Sequence, residues 1–134
     1  MLEDVKINVK LKISALWATV MFLFAYVDIF SYFRPGIIEG IMAGKIAGMQ
    51  INQGFLVFTT LYVSIPSVMV FLSLTLRPVA NRWTNMIVGV VYAASIMFFC
   101  IGESWAYYIG ASIAEIALLF LVVWYAWKWP RLVP

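Results

Sequence analysis

Four stretches of this chain, Ile13–Phe33, Phe55–Leu76, Trp83–Ile101 and Trp105–Trp127, are apolar almost throughout. Each approaches the ~20 residues that a helix needs to cross ~30 Å of hydrocarbon, rising about 1.5 Å per residue. Inside a bilayer the backbone polar groups must bond within the protein, so only helices and closed barrels span it. These stretches are too long for barrel strands and lack strict alternation, which predicts helices. Composition agrees. Of 134 residues, 65% are hydrophobic and 11% charged, against about 45–50% and about 25% in a soluble domain. A chain this short buries only ~60–70% of its unfolded surface, so the apolar excess calls for a lipid solvent. The expectation is a single all-α domain over residues 1–134, an integral membrane four-helix bundle running up-down-up-down.

Several function classes drop out. The net charge is +3, but the basic residues are spread thinly at helix ends, which suits membrane topology and not nucleic-acid binding. One cysteine, Cys100, cannot form an internal disulfide. With no histidine, the usual zinc, haem and thiolate–imidazole sites are excluded as well. No cofactor or protein metal site is expected, although a carboxylate-only site for a hard cation stays open. Cys100 and the methionines read as packing residues.

The helix ends carry punctuation. Arg34-Pro35-Gly36 stops the first helix, Arg77-Pro78 stops the second, and Asn81-Arg82 opens the third. Gly102-Glu103-Ser104 makes a tight turn in which Glu103 is read as solvated and Ser104 as an N-cap. Tryptophans at 17, 83, 105, 124, 127 and 129 lie mostly near the expected interfaces. Lys6, Lys10, Lys12, Arg77, Arg82, Lys128 and Arg131 fall on one side of a four-span topology, and Arg34 and Lys45 on the other. The positive-inside rule then places both termini in the cytoplasm. The apolar stretch after Lys12 is too long for a signal-peptide core and ends in no small-x-small site, so it is read as an uncleaved first helix.

The loop 34–54 interleaves Gly36, Gly40, Gly44 and Gly48 with isoleucines and methionines. Glycines four apart would leave a bare stripe on a helix. The segment is read as an interfacial helix or hydrophobic loop, or as a lid over an external cavity.

Two acids lie within the membrane zone, Asp28 towards the outer end of the first helix and Glu115 near the middle of the fourth. An Asp at the centre of a spanning helix costs at least ~2.5 kcal/mol, and such groups usually face the bundle interior or a watery cavity. Ser14, Ala18, Met21, Ala25, Asp28 and Tyr32 form one seam of small and polar residues. Ser104, Tyr108, Ala111, Glu115, Leu118 and Val122 form another. Thr60, Ser64 and Ser67 follow one face of the second helix. Pro66 there cannot donate to the carbonyl of Tyr62, which predicts a kink and a free carbonyl. The third helix offers Asn85, Gly89 and Tyr92. Gly89 with Ala93, and Gly110 with Ala114, are small-xxx-small pairs.

Three readings of the acids follow. They are neutral, structural and hydrogen-bonded across the bundle, or they line an outward-facing pocket for a cation, a proton or a small polar molecule. In the third reading one is a general base, but no electrophile or cofactor group accompanies it. The pocket reading leads, with Asp28, Glu115, Tyr32, Tyr108, Ser64 and Thr60 as its candidate ligand-binding residues. Besides the lipid bilayer, a small polar or cationic ligand is the expected partner. A transport path through so small a bundle is expected to need a homo-oligomer. The alternative function is an accessory subunit of a larger membrane complex.

Several blocks in order carry a family resemblance: Glu3-Asp4-Val5-Lys6, Leu16-Trp17-Ala18, Pro35-Gly36 before Ile38-Glu39-Gly40, Ile65-Pro66-Ser67, Asn81-Arg82-Trp83, Trp105-Ala106-Tyr107-Tyr108 and Trp124-Tyr125-Ala126-Trp127. With these the chain resembles a family of small prokaryotic four-helix membrane proteins of unknown function, and its layout is similar to DoxX-like membrane proteins. The resemblance implies a prokaryotic cytoplasmic membrane and brings no activity.

Overall fold

The computed structural model describes residues 1–132. Its order is α1 (Val9–Ser31), α2 (Ile37–Met42), β1 (Lys45–Ile46), β2 (Met49–Gln50), α3 (Gln53–Thr75), α4 (Pro78–Cys100) and α5 (Ala106–Trp127). The four long helices are each long and apolar enough to cross a membrane, and they form the expected all-α bundle.

Three helices start earlier than hydropathy alone suggests, and capping chemistry explains each. Asn8 accepts from the Lys10 N–H at 2.8 Å, so α1 opens at Val9 and carries Lys10 and Lys12 in its first turn. Asn52 accepts from the Phe55 N–H at 2.9 Å and opens α3 two residues early. Pro78 does not merely end the preceding helix. It is the first residue of α4, where a missing N–H costs nothing and a fixed φ helps.

α1 packs against α3 on one side and α5 on the other, and α4 packs against α5. α3 and α4, though joined by a tight turn, touch only sparsely. The closest seam is α4–α5. A Cβ on Gly89 would lie 2.8 Å from Val123 Cγ2, so only glycine admits this approach. Ala93 beside it is buried. Gly110 has nothing nearby and does not serve as a contact residue.

The core of the bundle towards the chain termini is closed by a satisfied polar network. Trp17 is fully buried and donates its indole N–H to Asn85 Oδ1 at 2.6 Å. It is therefore a core residue and not part of an interfacial belt, unlike the exposed Trp83, Trp105, Trp124 and Trp127. Ser73 also donates to Asn85 Oδ1. The Asn85 amide donates to Asn81 Oδ1 at 2.7 Å, and the Asn81 amide donates to the Ser73 carbonyl at 2.8 Å. Ser14 donates to the Val70 carbonyl at 2.7 Å. Among the described residues no buried side-chain polar atom lacks a partner, as burial in an apolar interior demands.

Pro66 sits inside α3 and frees the carbonyl of Tyr62 as expected. Tyr92 of α4 supplies the missing donor, its hydroxyl 2.7 Å from that oxygen. The Tyr62 hydroxyl in turn meets Ser95 Oγ at 2.6 Å. These bonds hold the middles of α3 and α4 together across an otherwise thin contact.

The glycine-rich loop is not one glycine-striped helix. Only Ile37–Met42 is helical. The rest is a two-residue hairpin pairing Lys45 with Gln50 and Ile46 with Met49. Its central residues Ala47 and Gly48 have φ of 50° and 77°, the positive values that a type I′ turn requires.

Candidate functional site

The half of the bundle at the α1–α3 loop end holds a cavity of about 550 Å³. It lies where the sparse α3–α4 contact leaves room above Tyr62. All four long helices contribute. α1 supplies Phe24, Val27 and Asp28, and α3 supplies Phe55, Phe58, Thr59, Tyr62 and Val63. α4 adds Ile96 and Phe99, and α5 adds Tyr108, Ser112 and Glu115. Met49 of the hairpin completes the lining, so the loop reaches over the cavity.

Glu115 is the tenth residue of the 22-residue α5, which places it near mid-helix. It is 5% exposed. Among the described residues neither Glu115 nor Asp28 has a hydrogen-bond or ion-pair partner. Since no fully enclosed polar atom is orphaned, the Glu115 oxygens open onto the cavity. Asp28 lies three residues before the end of α1, is exposed, and lines the same cavity nearer its mouth. The neutral structural pairing with a Tyr or Ser is not seen for either acid.

Of the six residues expected from the sequence, Asp28, Tyr108 and Glu115 share this cavity. Tyr32 caps the end of α1 and lies outside it. Thr60 and Ser64 also stand outside, and their hydroxyls donate back to the carbonyls of Leu56 and Thr60 at 2.8 and 2.6 Å. The aromatic wall of Phe24, Phe55, Phe58, Tyr62 and Phe99 was not foreseen. Its signal is a run at helical spacing, Phe55-Phe58-Tyr62, and Phe24 one turn before Asp28.

Residues 3–133 match the model of a family described as "Family of unknown function (DUF6326)". The chain belongs to that family. No curated protein and no solved structure matches it.

In this DUF6326 chain a charged clasp closes the loop end beside the cavity. Arg34, just past α1, forks onto Glu103 with N–O distances of 3.2 and 3.3 Å. Its guanidinium lies 4.7 Å from the centre of the Trp105 ring. Glu103 also accepts the backbone N–H groups of Ser104 and Trp105, each at 3.1 Å. Those bonds hold the turn before α5, whose N-cap position is Trp105 with no side-chain cap bond, so Ser104 does not cap the helix as expected, and Glu103 is paired and not simply solvated. The Trp105 N–H, helped by Arg34, holds the Glu103 carboxyl below its ordinary value of 4.5. Tyr107 meets Ser31 Oγ at 2.9 Å, tying α1 to α5 once more.

The clasp has a chemical consequence for the cavity. Arg34 is already paired with Glu103, and no basic residue lines the cavity. The two cavity carboxyls therefore face an aromatic wall without a protein counter-charge.

Proposed function

We propose that this protein is a multi-pass protein of the prokaryotic cytoplasmic membrane that binds a small cationic ligand in an outward-facing pocket, as the binding step of a carrier. The cavity reaching the unpaired Glu115 at mid-helix is the observation that carries this reading. An intramembrane acid by default marks a ligand or ion path. Both termini face the cytoplasm in this proposal, in line with the seven basic residues on their side.

A carrier is favoured over an open pore because the cavity is blind. Beneath it Trp17, Met69, Tyr92 and Leu119 are buried in the core, and the Asn81–Asn85–Ser73 network fills the remainder. The pocket lies within one chain, so binding needs no second copy. Release to the other side would require the core to rearrange, for which a homo-oligomer is the proposed setting. An accessory subunit held by its acids would instead call for a dry, fully packed interior around Glu115.

The test is thermal stability of the detergent-purified protein with a panel of cations and polar metabolites, beside Glu115→Gln and Asp28→Asn. A ligand at a hundred times its Kd adds about 2.7 kcal/mol to the folded state. A cation is expected to stabilise the wild type and to lose that effect in Glu115→Gln. If no compound separates wild type from Glu115→Gln, the binding reading is lost.

A further inference from the structure

The wall of the cavity narrows the ligand class, and the narrowing rests on the reading of the cavity as a binding site. We infer that the ligand is an organic cation, a substituted ammonium carried on an apolar body, and not a bare metal ion or a neutral molecule.

Three observations carry this. First, the wall is aromatic on every side, with Phe24 from α1, Phe58 and Tyr62 from α3, Phe99 from α4 and Tyr108 from α5. Ring faces attract a desolvated cation, most visibly quaternary ammonium groups. Second, the charge in the cavity is purely acidic, since Asp28 and Glu115 lack basic partners while Arg34 is committed to Glu103. An anion or zwitterion would find no positive group. A neutral apolar guest would draw nothing from the two carboxyls. Third, the space is large and poor in oxygen. A hard metal ion needs about six oxygen ligands, and no group of three His, Cys, Asp or Glu side chains placed to hold a metal exists among the described residues. Even the Thr59 hydroxyl is turned back to the Phe55 carbonyl at 2.8 Å. A volume of about 550 Å³ instead matches pockets for organic molecules, about 300–1,000 Å³.

Phe58 and Phe99 line the cavity and are exposed. They stand on α3 and α4, which touch only sparsely. A ligand with an apolar body can therefore keep that body against the Phe58–Phe99 side while its charge sits at Glu115.

The experiment compares benzyltrimethylammonium with its neutral carbon isostere, neopentylbenzene, and with sodium and calcium chlorides. Binding to the purified full chain is read by calorimetry and thermal shift. The ammonium is expected to bind saturably and about tenfold or more tighter than the isostere, because ring faces and a carboxylate both favour the charge. Glu115→Gln should weaken the ammonium and not the isostere. Phe99→Leu, which keeps the surface apolar and removes a ring face, should do the same more mildly. Equal binding of both compounds, indifferent to Glu115→Gln, would overturn the cation class while leaving a pocket in place. Tighter binding of sodium or calcium would also overturn it. Binding of none of the four, with no ligand found in the stability panel, would remove the pocket reading itself.

Discussion

The bond from Tyr92 to the Tyr62 carbonyl offers a sharp test of how the bundle tolerates a proline in α3. Pro66 removes the helical donor for that carbonyl, and the Tyr92 hydroxyl replaces it from α4 at 2.7 Å. Pro66 and Tyr92 are both buried. Tyr92→Phe keeps the ring and its tilted contact with Tyr62, the ring centres 4.9 Å apart, and deletes only the hydroxyl. An orphaned buried acceptor costs about 1–3 kcal/mol in a protein interior. Hydrogen bonds measured within membranes average about 0.6 kcal/mol and reach about 1.7. Destabilisation of about 1–1.7 kcal/mol is therefore expected, at the upper part of the membrane range because proline removes the carbonyl's usual i+4 donor. In a Pro66→Ala background the backbone N–H at this position is restored, the helix satisfies the Tyr62 carbonyl itself, and Tyr92→Phe should cost only a few tenths. The double-mutant cycle then gives a coupling of about 1 kcal/mol, measured by reversible unfolding in mixed micelles. An equal cost of Tyr92→Phe in both backgrounds would refute the assignment of Tyr92 as the substitute donor.

Two further outcomes follow from the packing and the clasp. Gly89→Ala puts a methyl 2.8 Å from Val123 Cγ2 and should destabilise by about 1–3 kcal/mol, with much of the loss recovered in Gly89→Ala/Val123→Ala. Glu103 has a depressed carboxyl pKa, so its contribution is present above the ordinary value of 4.5 and fades as pH falls through the lower folded value. The stability gap between wild type and Glu103→Gln should be small but measurable at neutral pH, as for an exposed pair, and close in acid. A gap that widens in acid would contradict the assigned pairing.

The four helices were legible because lipid leaves a chain few options, and hydropathy reports that constraint directly. Their starts were less so, since Asn8, Asn52 and Pro78 extend helices by local capping that an apolar-run reading passes over. Asp28 and Glu115 stood out because a carboxyl is rare among apolar residues, and the structure brings both to one cavity. Its aromatic wall was illegible for the opposite reason. A phenylalanine facing lipid and one facing a pocket have the same composition and the same helical spacing. Trp17 shows a related confusion, since a tryptophan near a helix end reads as an interface anchor until its partner Asn85, 68 positions away, is seen. Thr60 and Ser64 lay on a polar seam, but a hydroxyl in a helix can satisfy itself on the preceding turn, and these do.

Carboxyl labelling tests the central claim most directly, because it reads Glu115 without mutating it. The purified protein is treated with a carbodiimide, with and without saturating benzyltrimethylammonium, and the modified acids are mapped by mass spectrometry. Glu115 and Asp28 are expected to label, and the cation should protect both while leaving Glu103 unchanged. A Glu115 that stays unlabelled, or that labels equally with and without the cation, would contradict a cation-binding cavity open to mid-helix.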